Sequence, residues 1–137
     1  MTLEDFKKLK KYIHEQIKWD EDNLLEMEQK LSVLYQEVQD VLTNQRLLYE
    51  NLLLEKDQIY GKLYESFKFE SVRQWDTKNE IDSQIKSNHK YYEKALECNQ
   101  LAVIVEYLEN TLKNISSIGY QIRDFIKYKI FQSGRDF

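Results

Sequence analysis

Residues 101–131, LAVIVEYLENTLKNISSIGYQIRDFIKYKIF, form the most apolar and least charged run of the chain, and their spacing decides the fold. With Leu101 at heptad position a, Leu108, Ile115 and Ile122 fill the later a positions. Ile104, Thr111, Ile118 and Phe125 fill d, and Val105, Leu112 and Ile126 fill e. Apolar residues at a, d and e make a stripe wider than a two-stranded seam needs, so this helix has two neighbours to satisfy. It is expected to be an assembly helix, packed against copies of itself or its own chain, with self-association favoured. The predicted oligomerisation residues are Leu101, Ile104, Val105, Leu108, Leu112, Ile115, Ile118, Ile122, Phe125 and Ile126.

Working outward, nothing in the composition breaks long helices. The 137 residues contain no proline and three glycines, and 32% are charged, enough to solvate long polar faces. Period-two alternation is scarce, so a sheet is not expected. The fold class predicted is all-α, with long antiparallel, coiled-coil-like helices. From Leu24 a second heptad pattern runs through Leu31, Val38, Gln45, Leu52 and Ile59 at a, and Met27, Leu34, Val41 and Leu48 at d. That predicts a helix of about 40 residues, about 60 Å long, weakened at Gly61, with Tyr60–Trp75 as its end and then a connection. Ahead of it, Thr2 caps a short amphipathic helix carrying Leu3, Phe6, Leu9, Ile13 and Ile17, with Lys7, Lys8, Lys10 and Lys11 on its basic side. Asp20-Glu21-Asp22-Asn23 interrupts the short helix and caps the long one. A third helix is expected from about Asp76-Thr77 through Ile81, Ile85, Tyr92 and Leu96, continuing or kinking into the assembly helix. Ser133-Gly134 is a stop. Two regions are expected: 1–75, a helical hairpin-like region with an acidic face and a basic-aromatic segment, and 76–137, the oligomerisation region.

The net charge of −4 is unevenly spread. Residues 1–55 hold seven Lys/Arg against twelve Asp/Glu, residues 56–94 eight against seven, and residues 95–137 five against five. The acid sits at the front, and an anionic partner elsewhere is compatible with the acidic total. Cys98 stands alone, which suits a reducing compartment. The opening MTLEDFKKLKK lacks a signal peptide's apolar core, and no run approaches the roughly 18 apolar residues of a membrane span. No membrane partner is expected.

Catalytic chemistry finds no purchase. His14 and His89 have no second imidazole or thiol at metal-ligand spacing, and there is no nucleophile motif or glycine-rich phosphate loop. No enzyme, catalytic residue, metal or cofactor is expected. The segment around residues 60–75 combines rings with cations, as single-strand binding requires: cations track phosphates while bases stack on aromatic faces. The candidate DNA-binding residues are Lys56, Lys62, Tyr64, Phe67, Lys68, Phe69 and Arg73. The competing arrangement packs these rings in a helix junction with the lysines reaching into water, and Glu65 and Glu70 dilute the charge in its favour. Assembly shifts the balance, because a surface weak in one subunit becomes strong when several copies engage one strand.

The run from Lys78 to Gly134 resembles the UvsY-type recombination mediators of large tailed phages. The likeness rests on Lys78, Glu80 and Ile81, on the step Ser117-Ile118-Gly119-Tyr120 followed by Ile122, Phe125 and Ile126, and on Phe131-Gln132-Ser133-Gly134. Leu3-Glu4-Asp5 and the lysine-rich turn after it also fit. The resemblance implies a non-enzymatic, ring-like homo-oligomer, a hexamer or heptamer, that binds single-stranded DNA. It would load a RecA-like recombinase onto strands coated by single-strand-binding protein, in recombination, recombination-dependent replication and repair. It further implies oligomerisation through the C-terminal part, DNA contact near Lys62–Phe67, and residence in the cytoplasm of the infected host cell. The alternative is a helical coiled-coil scaffold or adaptor without a nucleic-acid role.

Overall fold

The computed structural model describes residues 1–70 and 78–134. Among the described residues four α-helices follow one another: α1 (Leu3–Gln16), α2 (Leu24–Glu65), α3 (Lys78–Ser87) and α4 (His89–Gln132). No strand occurs among the described residues. Thr2 caps α1 as expected: its hydroxyl accepts from the Asp5 amide at 3.1 Å, and its own amide donates to the Asp5 carboxylate. The Thr2 backbone bond holds the Asp5 carboxyl below its ordinary range. Asp20 caps a single 3-10 turn, Glu21–Asn23, that leads directly into α2.

The chain divides into two compact units, the first of them assembled from two separate stretches of sequence. That unit comprises residues 1–44 and 104–137. There α1, the start of α2 and the end of α4 enclose a core of Ile13, Met27, Leu31, Leu34, Val38, Leu42, Leu108, Ile115, Ile118 and Ile122. Phe6 meets Tyr107 edge-on at 5.3 Å, with the Lys10 ammonium 5.1 and 5.2 Å from the two ring centroids. Tyr12 donates to Glu37 at 2.8 Å, tying α1 to α2. The Glu28–Arg123 and Glu21–Lys129 ion pairs show that α2 and α4 run antiparallel here.

The second unit comprises residues 45–103. In it Ile81 and Ile85 of α3, Cys98 and Leu101 of α4, and Gln45 of α2 are buried. Glu55 pairs with Lys94 at 2.9 Å, and Tyr60 meets Tyr91, so α2 and α4 are again antiparallel.

Two sequence expectations change. The α4 stripe keeps its heptad, with Leu101, Leu108, Ile115 and Ile122 all buried. The α2 stripe keeps it at 27, 31, 34, 38 and 45 but departs from it at 42 and 48. Its buried positions are 27, 31, 34, 38, 42 and 45, so Leu42 is fully buried while Val41 packs half-buried against the same core, and Leu48 is 46% exposed. Positions 27 and 38, 31 and 42, and 34 and 45 repeat every eleven residues, closer to the straight-helix period than seven is. As expected, α2 ends within the Tyr60–Trp75 segment: it passes Gly61, continues to Glu65 and then widens into a π turn, Ser66–Glu70. Finally, the third helix breaks at Asn88, whose side chain accepts from the Lys90 and Tyr91 amides and caps α4. The break resets the helical phase, so Tyr92 and Leu96 are exposed and Tyr91 turns inward toward Tyr60.

Candidate nucleic-acid interface

Helix α2 delivers the basic-aromatic residues at its C-terminal end. Tyr60 and Tyr64, four apart, lie on one face and stack with centroids 6.4 Å apart and rings 19° from parallel. One further turn brings Lys68 over the Tyr64 ring, its ammonium 5.6 Å from the centroid. The same ammonium lies 5.3 Å from the Phe69 centroid. Both residues lie in the π turn Ser66–Glu70. Lys68 thus sits between two rings, and Phe69 is 74% exposed.

Tyr60 anchors the row from below. Its hydroxyl donates to the Asp82 carboxylate of α3 at 2.7 Å, and its ring meets Tyr91 of α4 edge-on at 5.9 Å. Lys86 completes the anchor, 3.0 Å from the other Asp82 oxygen. The bond to Asp82 raises the Tyr60 pKa, while the Tyr60 hydroxyl and then Lys86 hold the Asp82 carboxyl below the usual carboxylate range.

Of the predicted DNA-binding residues, Tyr64, Lys68 and Phe69 come together in this row. Lys62 is exposed on α2, Lys56 and Phe67 are half-buried, and Arg73 lies outside the described residues. Sequence reasoning missed Tyr60, Asp82, Lys86 and Tyr91. Tyr60 carried a signal, four residues before Tyr64. The other three come from distant sequence and carried none.

The predicted oligomerisation residues divide by depth. Leu101 is buried in the second unit, and Leu108, Ile115, Ile118 and Ile122 are buried in the core of the first. Ile104, Val105, Leu112 and Ile126 pack half-buried against that core, and Phe125 meets Trp19 at 6.2 Å. The chain's own α1 and α2 therefore occupy one face of the stripe. The apolar side chains of α4 left open toward its C-terminal end are Tyr120, Tyr128 and Phe131, and Val103 is open further back.

Among the described residues, no group of three His, Cys, Asp or Glu side chains could hold a metal ion, and no helix is long and apolar enough to cross a membrane. His89 is 2.8 Å from Glu93 on its own helix, and Cys98 is buried.

This all-helical architecture is that of a known recombination mediator. Crystal structures of the bacteriophage T4 recombination mediator protein UvsY superpose closely on the chain. Lattice type IV gives a TM-score of 0.81 at 10% identity, covering 93% of this chain and 98% of that one. Lattice type II gives 0.80 at 14%, covering 97% and 98%, and lattice type I gives 0.77 at 12%, covering 91% and 98%. Identities this low speak to the fold alone. No curated protein matches the chain in sequence. The family model described as "Recombination, repair and ssDNA binding protein UvsY" matches residues 8–135, and the chain belongs to that family.

Proposed function

We propose that this protein is a recombination mediator that grips single-stranded DNA through the Tyr60–Tyr64–Lys68–Phe69 row, with Lys56, Lys62 and Arg73 adding phosphate contacts. The observation that carries the reading is Phe69: a large ring held against a lysine and left 74% exposed, the pairing a stacked base and its phosphate need. Several copies, meeting through the open side of α4, pool surfaces that are individually weak. One strand crossing several protomers is bent, the grip of a coating single-strand-binding protein is loosened, and the bared strand is offered to a RecA-like recombinase. The chain itself supplies binding and positioning, and no catalytic step is assigned to it.

Membership in a family described by recombination, repair and single-strand binding supports this reading. A titration of fluorescent oligothymidylate at several salt concentrations tests it. Affinity falling steeply with salt is expected. A helical scaffold without a nucleic-acid role gives no binding even at low salt.

A further inference from the structure

Two interactions in the second unit fix the register of α2 against α4. Lys94 pairs with Glu55, and Tyr91 meets Tyr60. On α2, the edge bearing Glu55 returns two turns later at Lys62. On α4, the edge bearing Lys94 returns one turn earlier at Lys90. Because the helices are antiparallel, both displacements point the same way along the seam. Lys62 and Lys90 therefore flank the same stretch of it, beyond the Glu55–Lys94 pair and on the same edge.

The charges around Lys90 are already committed. Lys86, four residues before it, is neutralised by Asp82 at 3.0 Å. Lys94, four after, is held by Glu55 at 2.9 Å and Glu97 at 3.5 Å. Glu93, the nearest acid on α4, is turned to His89 at 2.8 Å. Lys90 itself is exposed and forms no ion pair among the described residues, and the same holds for Lys62. Two uncompensated cations on the same edge of a seam are complementary to the phosphates of a polyanion.

We infer that Lys90, at the start of α4, is a phosphate-contacting residue that holds a single strand across the α2–α4 seam opposite Lys62. This extends the binding surface onto a helix absent from the basic-aromatic segment, and it rests on the proposed single-strand binding. The strand would lie over the seam, touching both helices, rather than along the end of α2 alone.

The test is an oligothymidylate titration of the full chain across a salt series, with Lys90→Ala, Lys90→Arg and, as a charge-matched control, Lys113→Ala in the first unit. Lys90→Ala should weaken binding about fivefold at low salt and flatten the log–log salt slope by roughly 0.7 for each phosphate no longer neutralised. Lys90→Arg keeps the charge and should bind like the parent, as should Lys113→Ala. If the parent binds with a steep salt dependence and Lys90→Ala is indistinguishable from it, the inference about Lys90 is overturned while the proposed function stands. If the parent ignores the oligonucleotide at low salt, the proposed function falls and this inference with it.

Discussion

Tyr60 donates its phenolic hydrogen to Asp82 across 2.7 Å, joining the last turns of α2 to α3. This bond fixes the foot of an aromatic row whose other end, Phe69, is open to solvent. The row is held at its base and free to meet a ligand at its tip. Tyr60→Phe should therefore leave the helical circular dichroism unchanged and weaken oligonucleotide binding a few-fold, through looser placement of Tyr64 and Lys68. Equal affinity for parent and variant would show that the Tyr60 hydroxyl positions nothing.

The same bond makes a pH dependence. The Asp82 carboxyl is depressed by the Tyr60 hydroxyl and then by Lys86. A depressed carboxylate stabilises the fold above its unfolded pKa, about 3.9, and that contribution is lost as pH falls through the lower folded value. The Tyr60 pKa is raised, so its share is present below the unfolded value of about 10 and lost as pH climbs through the folded one. The tie is intact from about pH 5 to 9. Asp82→Asn should thus be less stable than the parent at pH 7, and the two unfolding curves should converge at strongly acidic pH. A stability gap of constant size down to about pH 2 would count against the bond.

Gln45 is buried, 6% exposed, and its Oε1 accepts no hydrogen bond among the described residues. A buried carbonyl without a donor costs about 1–3 kcal/mol. Gln45→Leu removes the orphan at similar volume and should raise the urea midpoint, by about 1 kcal/mol in unfolding free energy. A lower midpoint would mean that the amide is satisfied in solution.

Much of the fold was legible in the residues, for identifiable reasons. In α4 the side chains at 101, 108, 115 and 122 are buried as the heptad requires, because its stripe is wide enough to fix the phase unaided. In α2 apolar residues occur at both 41 and 42 and at both 47 and 48, so the pattern admits two phases. The partner helix chooses between them, and Leu42 is the residue buried. The break at Asn88 was readable in principle, since an asparagine ahead of a helix is a capping residue. The Tyr60–Asp82 bond was not. Ten tyrosines and many carboxylates compete on equal local terms, and only the tertiary approach of segments 22 residues apart selects this pair.

Burial also changes how assembly must be probed. Ile122 is fully buried within its own unit, so Ile122→Ala should cost about 2–4 kcal/mol of stability and says nothing specific about association. Phe131 is 74% exposed near the end of α4. Phe131→Ser should leave thermal stability of a dilute sample unchanged while lowering the particle mass in sedimentation. A particle mass that does not move with Phe131→Ser, or with Tyr120→Ser tested alongside it, would direct the search for the self-association surface away from the open side of α4.

Stacking and charge can be separated at the tip of the row. Phe69 carries no charge, whereas Lys68 beside it does, with 5.3 Å between ammonium and ring centroid. Removing one base–aromatic stack costs about 1–3 kcal/mol, so Phe69→Ala should weaken oligothymidylate binding about tenfold or more. It releases no counterion, so the salt slope should stay parallel to that of the parent. Lys68→Ala should do the reverse, flattening the slope by about 0.7 per neutralised phosphate and leaving the high-salt affinities closer together. Both comparisons come from one set of salt titrations. If Phe69→Ala flattens the slope as Lys68→Ala does, the ring acts only by holding the ammonium in place, and no base rests on it.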